Sequence, residues 1–248
     1  MHNRLMQGGT ASGSIEPRLV LDGAKCHDSK QAIRVVVIDD HRIITDLLET
    51  AMRNREQFEF CGSVSCLSDL SGLLRLSPPD VALIDARLPD GSGIDALRRL
   101  RARWPHSSLL MFTGSTDPGL ADEAVGAGAD GLISKEHGVG QLLELIARAA
   151  SGETLFPLEL LQRLNRSPRP TKVSANQAKQ LISTRERASL QALLESGHPA
   201  IAASRLNITE STLRNHLHAA ITKLGASSRL EAISIAWRCG LIQPPNDN

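Results

Sequence analysis

Five polar side chains in the first two-thirds of the chain each follow a short run of mostly apolar residues. Short unbroken apolar runs are typical of strands that are buried on both faces of a parallel sheet. Ligands of such sheets bind at the carboxyl ends of the strands, so the five side chains are expected to meet in one crevice. They are Asp39, Asp40, Asp85, Thr113 and Lys135.

Together these groups suit the transfer of a phosphoryl group. Neighbouring carboxylates repel one another and stay ionised only beside a cation, and a hard, oxygen-preferring ion such as Mg²⁺ fits this need. Lys135 adds a fixed positive charge and Thr113 adds a hydroxyl donor. The metal and the ammonium would neutralise the transferring group while the carboxylate of Asp85 attacks it. The alternative is a salt-bridged patch at the edge of the sheet.

The elements that must position these residues alternate between strand and helix over residues 33–151. Such alternation predicts an α/β fold, a doubly wound five-stranded parallel sheet with helices on both faces. The first helix carries an apolar stripe that is expected to face the core. Its residues are Ile43, Ile44, Leu47, Leu48, Ala51 and Met52. The predicted strands are 33–38, 58–64, 81–85, 109–112 and 131–134, and the predicted helices are 43–52, 67–76, 93–103, 119–126 and 138–151.

The motifs in this segment resemble the receiver domain of bacterial two-component response regulators. The matching stretches are V-V-V-I-D-D-H, L-I-D-A-R-L-P-D-G-S-G, M-F-T-G-S and G-L-I-S-K-E. The resemblance covers residues 33–151 and implies a flavodoxin-like sheet of strand order 2-1-3-4-5. It also implies that Asp85 accepts a phosphoryl group from a sensor histidine kinase.

The same resemblance implies roles for the remaining polar residues of the crevice. Thr113 and Lys135 would contact the phosphoryl oxygens. The sequence departs from the family at Leu132, where an aromatic switch residue is usual, and at Glu136, where many receivers have proline. Neither departure touches the phosphorylation chemistry. The implied ligands of Mg²⁺ (or Mn²⁺) are Asp40, Asp85 and the backbone carbonyl of Arg87, with Asp39 assisting through water.

Composition indicates two domains with different partners. The receiver-like part is acidic and the part after residue 183 is mildly basic, although the whole chain has a formal net charge of only +1. No run is long and apolar enough for a membrane span, and the four cysteines match no metal or disulfide spacing, so a cytoplasmic protein is expected. The predicted parts are a flexible extension (1–32), the receiver (33–151), a linker with a short helix ending near Asn165 (152–179), a helical domain (180–244) and a tail (245–248).

The helical domain shows a four-helix pattern with a helix-turn-helix at its centre. Ser183 and Glu186 have the spacing of a capping box before the first helix, and Thr209 precedes the third. A short helix, a tight turn and a longer helix with a polar face can place that longer helix in the major groove of DNA. A plain four-helix bundle with a solvated polar face is the alternative. The candidate DNA contacts are Ser211, Thr212, Arg214, Asn215, His218 and Lys223.

This second segment resembles the LuxR-type output domain of the NarL/FixJ regulators, through R-E-R, I-T-E-S-T-L-R-N-H and K-L-G-A-S-S-R-L-E-A. The resemblance implies a helix-turn-helix motif from Pro199 to His218. It also implies a homodimer on two DNA half-sites, in which residues 228–239 pair with their mate. Ser189 replaces a usual core aliphatic residue, and His218 stands where some members have lysine, which weakens the phosphate contacts.

The function expected from these patterns is control of transcription by phosphorylation, without enzymatic activity of its own. The expected partners are a sensor histidine kinase and double-stranded promoter DNA, with no membrane association. One alternative is a receiver-domain adaptor whose helical domain binds protein. The other is an aspartyl-phosphate hydrolase resembling haloacid dehalogenases, which is disfavoured because His41, and not an acid, stands two residues after Asp39.

Overall fold

A five-stranded parallel sheet forms the centre of the N-terminal unit. The computed structural model describes residues 32–114, 117–156 and 174–243. Its strands are β1 (Ile33–Ile38), β2 (Phe58–Val64), β3 (Val81–Asp85), β4 (Arg87–Leu88), β5 (Gly91–Ser92), β6 (Ser108–Thr113) and β7 (Gly131–Ser134). The main sheet has the order β2-β1-β3-β6-β7, and all its pairs are parallel. Counted over these five strands, this is the predicted order 2-1-3-4-5.

Helices cover both faces of this sheet, as the alternating pattern predicts. Alternate residues of β1, β3 and β6 enter two separate apolar clusters, one on each face. Helices α1 (Arg42–Arg53) and α5 (Val139–Ala150) pack into one cluster. Helices α2 (Leu70–Leu73), α3 (Gly93–Arg103) and α4 (Pro118–Ala127) pack into the other. The strands are apolar along their whole length because both of their faces are covered.

The apolar stripe of α1 is only half buried, which corrects the sequence prediction. Leu48 and Met52 are almost fully buried against the sheet, but Ile43 is 84% exposed and Leu47 is 50% exposed. Helix α1 therefore presents two large apolar side chains to solvent near the carboxyl end of β1. A helix pattern read from sequence does not distinguish a core contact from an exposed apolar patch.

The segment after β2 also differs from the prediction. The expected helix at 67–76 is reduced to the four residues of α2. The carboxylate of Asp90 accepts the backbone N–H groups of Leu67 and Ser68, which holds the start of this segment in a loop. The short antiparallel ribbon of β4 and β5, which leads from Asp85 to α3, was not predicted.

Five helices make up the described part of the C-terminal unit. The first of them was not predicted and crosses the expected domain boundary at residue 180; the other four correspond to the predicted four-helix pattern. They are α6 (Ala175–Leu181), α7 (Thr184–Ser196), α8 (Pro199–Arg205), α9 (Glu210–Leu224) and α10 (Arg229–Arg238). The predicted short helix ending near Asn165, the extension before residue 32 and the tail from 245 lie outside the described residues.

Capping side chains fix the helix starts that position the C-terminal unit. Ser183 and Glu186 form a reciprocal capping box at α7, and Thr209 accepts a backbone N–H at the start of α9. Ser189, which replaces a core aliphatic residue, is buried with its hydroxyl donating to the Arg185 carbonyl at 2.8 Å. The buried hydroxyl is therefore paired and does not weaken the core as an orphan group would. Among the described helices, none combines the length and the apolar character that crossing a membrane requires.

Candidate functional site

The carboxyl ends of β1 and β3 place aspartates side by side. These strands pair in parallel with Ile38 opposite Ile84, so Asp39 and Asp85 follow at the same edge of the sheet. Asp39 is 3% exposed and Asp85 is 6% exposed, whereas Asp40 is exposed. Two nearly buried carboxylates at neighbouring strand ends require a compensating positive charge.

Lys135 supplies that charge from the end of β7. Its Nζ lies 2.7 Å from Asp85 Oδ2 and 2.7 Å from Asp39 Oδ2. Burial alone would lower the pKa of Lys135, but its contacts with Asp39 and Asp85 outweigh burial and raise the pKa above the ordinary lysine value. The ammonium is therefore charged at neutral pH and bridges the two buried carboxylates. The same ammonium lies 5.4 Å from the centre of the Phe112 ring, a cation–π contact.

His41 belongs to this cluster, although the sequence analysis gave it no role there. Its Nδ1 lies 2.9 Å from Asp39 Oδ1 and 2.8 Å from Asp40 Oδ1. Its backbone N–H also donates to Asp39 Oδ1 at 2.9 Å. The distance from Nδ1 to Asp85 Oδ2 is 3.7 Å. The one sequence feature that could have indicated this role is the position of His41 directly after the acidic pair.

The acidic cluster is compatible with a divalent metal ion. One possible ligand atom from each of Asp39, Asp40, His41 and Asp85 lies within 4.8 Å of the others. Asp39 Oδ2 is buried and, among the described residues, accepts no hydrogen bond of good geometry, although the Lys135 ammonium is 2.7 Å away. Carboxylate oxygens with open coordination positions suit Mg²⁺ or Mn²⁺.

The other residues predicted for the crevice lie around this cluster. Thr113 ends β6 and is almost fully buried, and its carbonyl accepts the backbone N–H of Lys135 at 3.0 Å. The backbone N–H of Arg87 donates to Asp85 Oδ1 at 3.3 Å. Leu132 is partly buried on β7 and packs into the sheet core. Thr113 and Arg87 thus lie at the same strand ends as the cluster, whereas Leu132 lies within β7, and their individual roles stay predictions.

Helix α9 exposes most of the residues predicted to contact DNA. Ser211, Arg214, Asn215 and His218 are exposed and Thr212 is half-buried. In contrast, the predicted contact Lys223 pairs with Glu186 of α7 through Nζ–O distances of 2.8 and 2.9 Å.

The pair between Lys223 and Glu186 fixes one helix against another. Burial alone would raise the pKa of Glu186, but the Lys223 ammonium and the N–H and hydroxyl of Ser183 outweigh it and lower the pKa. The carboxylate therefore serves two purposes, because it completes the cap of α7 and ties α7 to α9. In this structure Lys223 stabilises the orientation of α9.

Polar contacts join the C-terminal unit to the receiver-like unit along what we call the domain seam. Arg229 Nη1 donates to the Gly152 carbonyl at 2.9 Å, and Arg229 Nε lies 3.6 Å from Asp130 Oδ1. The hydroxyl of Ser227 donates to the Gly126 carbonyl at 3.0 Å. All three contacts involve the start of α10 or the turn before it.

Apolar and aromatic contacts continue the domain seam. Leu230 of α10 is buried in one cluster with Ala121 and Val125 of α4, and Leu132 packs against this cluster. The ring of His218 on α9 lies 5.2 Å, centre to centre, from the ring of His106 in the loop between α3 and β6. The seam therefore involves α10 and also the polar face of α9.

Two segments of the chain match known families. Residues 35–147 match the response regulator receiver domain, and residues 180–236 match the LuxR family of bacterial regulatory proteins. The first match contains all the residues of the acidic cluster and Lys135. The second contains α7 to α9 and most of α10.

Several transcription regulators are similar in sequence to long stretches of this chain. The transcriptional activator protein ExaE of Pseudomonas putida is 32% identical over 166 residues, which are 66% of this chain and 77% of that protein. The DNA-binding transcriptional activator DevR/DosR of Mycobacterium tuberculosis is 26% identical over 87% of this chain and 99% of its own length. The nitrate/nitrite response regulator protein NarL of Escherichia coli is 26% identical over 82% of this chain and 94% of its own length.

Proposed function

The chain belongs to the bacterial response regulators that join a receiver domain to a LuxR-type DNA-binding domain, and from this premise we propose that Asp85 is the phosphoacceptor through which it controls transcription. The observation that supports this most is the position of the Lys135 ammonium, 2.7 Å from Asp85 Oδ2 and held there by Asp39. Asp85 ends β3, the strand that lies between β1 and β6. Asp39 and Asp40 follow β1, and Thr113 ends β6, so Asp85 has the central position.

The proposed chemistry is attack by an Asp85 carboxylate oxygen on the phosphorus of a phosphohistidine or a small phosphodonor. The bond from phosphorus to the donor breaks, and the donor leaves with the electron pair of that bond. A divalent ion such as Mg²⁺, held by the acidic cluster, would supply charge neutralisation of the transferring group. Lys135 would contact one phosphoryl oxygen and Thr113 would donate its hydroxyl to another.

We further propose that the domain seam is the closed, inactive arrangement of the protein. An α9 helix in the major groove needs both DNA strands beside it, and the groove is about 12 Å wide. Contact between His218 and His106 puts a receiver loop where one of those strands would lie. DNA binding through α9 therefore requires the seam to open.

The receiver offers a physical link between phosphorylation and this opening. A phosphoryl group on Asp85 competes for the Lys135 ammonium, which now bridges Asp85 and Asp39. Lys135 directly follows β7, and Leu132 on the same strand packs against the cluster that holds Leu230 at the seam. A shift of β7 would change the packing of Leu230, so phosphorylation would bias an existing closed–open equilibrium.

The proposed partners follow from the same surfaces. Ile43 and Leu47 form an exposed apolar patch on α1 beside the acidic cluster, which suits docking of a sensor histidine kinase. The polar face of α9 would bind double-stranded promoter DNA, and α10 would pair with its mate in a homodimer once the seam has released it. Such a protein would work in the cytoplasm, where both its kinase and its DNA are accessible.

The phosphoacceptor is tested by the mass gained during incubation with acetyl phosphate and Mg²⁺. The wild-type chain is expected to gain one phosphoryl group, and Asp85→Asn is expected to gain none. Asp95→Asn is the matched control, because Asp95 is an exposed residue of α3 whose one ion pair with a described residue is to Arg98 on the same helix. A phosphoryl group on Asp85→Asn would show that another residue is the acceptor.

A further inference from the structure

A cavity of about 590 Å³ lies within the domain seam, apart from the phosphorylation site. Its receiver wall includes Asp80, Ser108 and Asp130, which stand at the amino ends of β3, β6 and β7. The acidic cluster lies at the carboxyl ends of the strands, at the opposite edge of the sheet. Its other wall is formed by the C-terminal unit, including Arg214 and His218 of α9. Cavities of about 300–1,000 Å³ are typical of small-molecule sites.

The charged groups of this cavity favour an anion. Among the described residues that line it, three arginines outnumber two aspartates, and two of those arginines, Arg101 and Arg229, already contact Asp130. The third, Arg214, is exposed and makes no hydrogen bond or ion pair with any residue in the described ranges. The planar guanidinium of Arg214 is therefore not engaged by any described residue, which suits bidentate binding of a phosphate.

Two histidines and several apolar side chains complete the cavity. His106 from the receiver and His218 from α9 line it together, and their rings lie 5.2 Å apart. Imidazole N–H groups can donate to phosphate oxygens, and these two come from opposite walls. Pro79, Pro199 and Leu217 supply apolar surface for the body of a ligand.

We propose that this cavity binds a small organic phosphate, which contacts Arg214 and His218 on one wall and His106 on the other. Such a ligand would join the two domains and occupy residues that are needed for DNA. It would therefore act as a negative regulator that stabilises the closed form without any change at Asp85. This consequence for DNA rests on the proposed function, but the binding itself does not.

The test is calorimetric titration of the full-length, unphosphorylated chain with adenosine monophosphate, and with adenosine as the matched uncharged compound. Adenosine monophosphate is expected to bind saturably, and adenosine at least about ten-fold more weakly, because charge-assisted hydrogen bonds are lost. His106→Ala and Arg214→Ala are each expected to weaken binding by about ten-fold or more. Arg99→Ala, an exposed arginine of α3 that does not line the cavity, is expected to bind like the wild type.

His106→Ala separates the cavity from simple binding of an anion to the DNA surface. His106 belongs to the receiver and has no part in the proposed DNA contacts, so a ligand that binds only the DNA surface does not need it. Wild-type affinity in His106→Ala would overturn the proposal, even if Arg214→Ala lost binding. Absence of saturable binding at millimolar nucleotide, or equal binding of adenosine, would also overturn it. None of these results depends on whether Asp85 is the phosphoacceptor.

Discussion

Removing the side chain of Arg229 should open the domain seam without phosphorylation. Arg229 donates a charge-assisted hydrogen bond of 2.9 Å to Gly152 O, and its Nε lies 3.6 Å from Asp130 Oδ1. Its side chain is only 19% exposed, so water replaces these contacts poorly while the seam stays closed. A hydrogen bond to a charged group contributes about 1.5–3 kcal/mol, and the longer ion contact adds less.

Loss of that free energy corresponds to a change of about 10- to 150-fold in the closed–open equilibrium. The apparent dissociation constant for DNA equals the intrinsic constant divided by the open fraction. Arg229→Ala should therefore bind promoter DNA more tightly in the unphosphorylated state, by up to this factor and until the open form predominates. Fluorescence anisotropy measures the affinity, and small-angle scattering should show a larger radius of gyration.

The control for this experiment is Arg99→Ala, which removes an exposed arginine of α3 that makes none of the contacts described for Arg229. It should leave both the affinity and the radius of gyration unchanged. If Arg229→Ala also keeps wild-type affinity and a wild-type radius, the contacts of Arg229 do not hold the domains together. If its phosphorylated form binds DNA more weakly than the phosphorylated wild type, Arg229 contributes to the DNA-bound form, either by contacting DNA or through the pairing of α10.

Three further changes test other parts of the account. Ile43→Glu with Leu47→Glu places charges on the exposed apolar patch and should therefore slow phosphotransfer from the kinase. The same variant should be labelled by acetyl phosphate at the wild-type rate. Equal losses with both phosphodonors would exclude a docking role for the patch. Glu186→Gln should lower the free energy of unfolding in urea by about 1–3 kcal/mol at neutral pH. The pKa of Glu186 is lowered in the folded state, so its stabilisation is present above the unfolded pKa of about 4.3 and is lost as pH falls through the folded pKa. The difference in free energy of unfolding between the wild type and Glu186→Gln should therefore shrink in acid. Arg214→Ala with Asn215→Ala should abolish duplex binding with an unchanged circular dichroism spectrum, and retained binding would show that these two residues are not the main DNA contacts.

The sequence was sufficient to predict the sheet and the residues at its carboxyl edge. The strands are short apolar runs, and a parallel sheet forces the ends of β1, β3 and β7 together whatever the details of packing. The positions of Asp39, Asp85 and Lys135 after apolar runs therefore predicted one shared crevice, and the structure places the Lys135 ammonium 2.7 Å from a carboxylate oxygen of each aspartate.

Features that depend on tertiary packing were not predicted. The exposure of Ile43 and Leu47 follows from how little of α1 the sheet covers, which periodicity does not specify. The pairing of Lys223 with Glu186 depends on the crossing of α7 and α9, and the same lysine looks like a DNA contact in sequence.

The contacts of the domain seam were the least predictable from the sequence. Its contacts join residues that are far apart in the chain, such as Arg229 to Gly152 and Leu230 to the α4 cluster. No local pattern of hydrophobicity or charge encodes such pairs. The cavity could not be predicted from the sequence either, because each of its walls belongs to a different domain.

The most direct test of the central claim is promoter affinity before and after treatment with acetyl phosphate and Mg²⁺, measured in parallel on the wild type and Asp85→Asn. The wild type should bind DNA more tightly after treatment, and the variant should show the same affinity with and without it. An equal gain in affinity in both proteins would contradict control of DNA binding through Asp85.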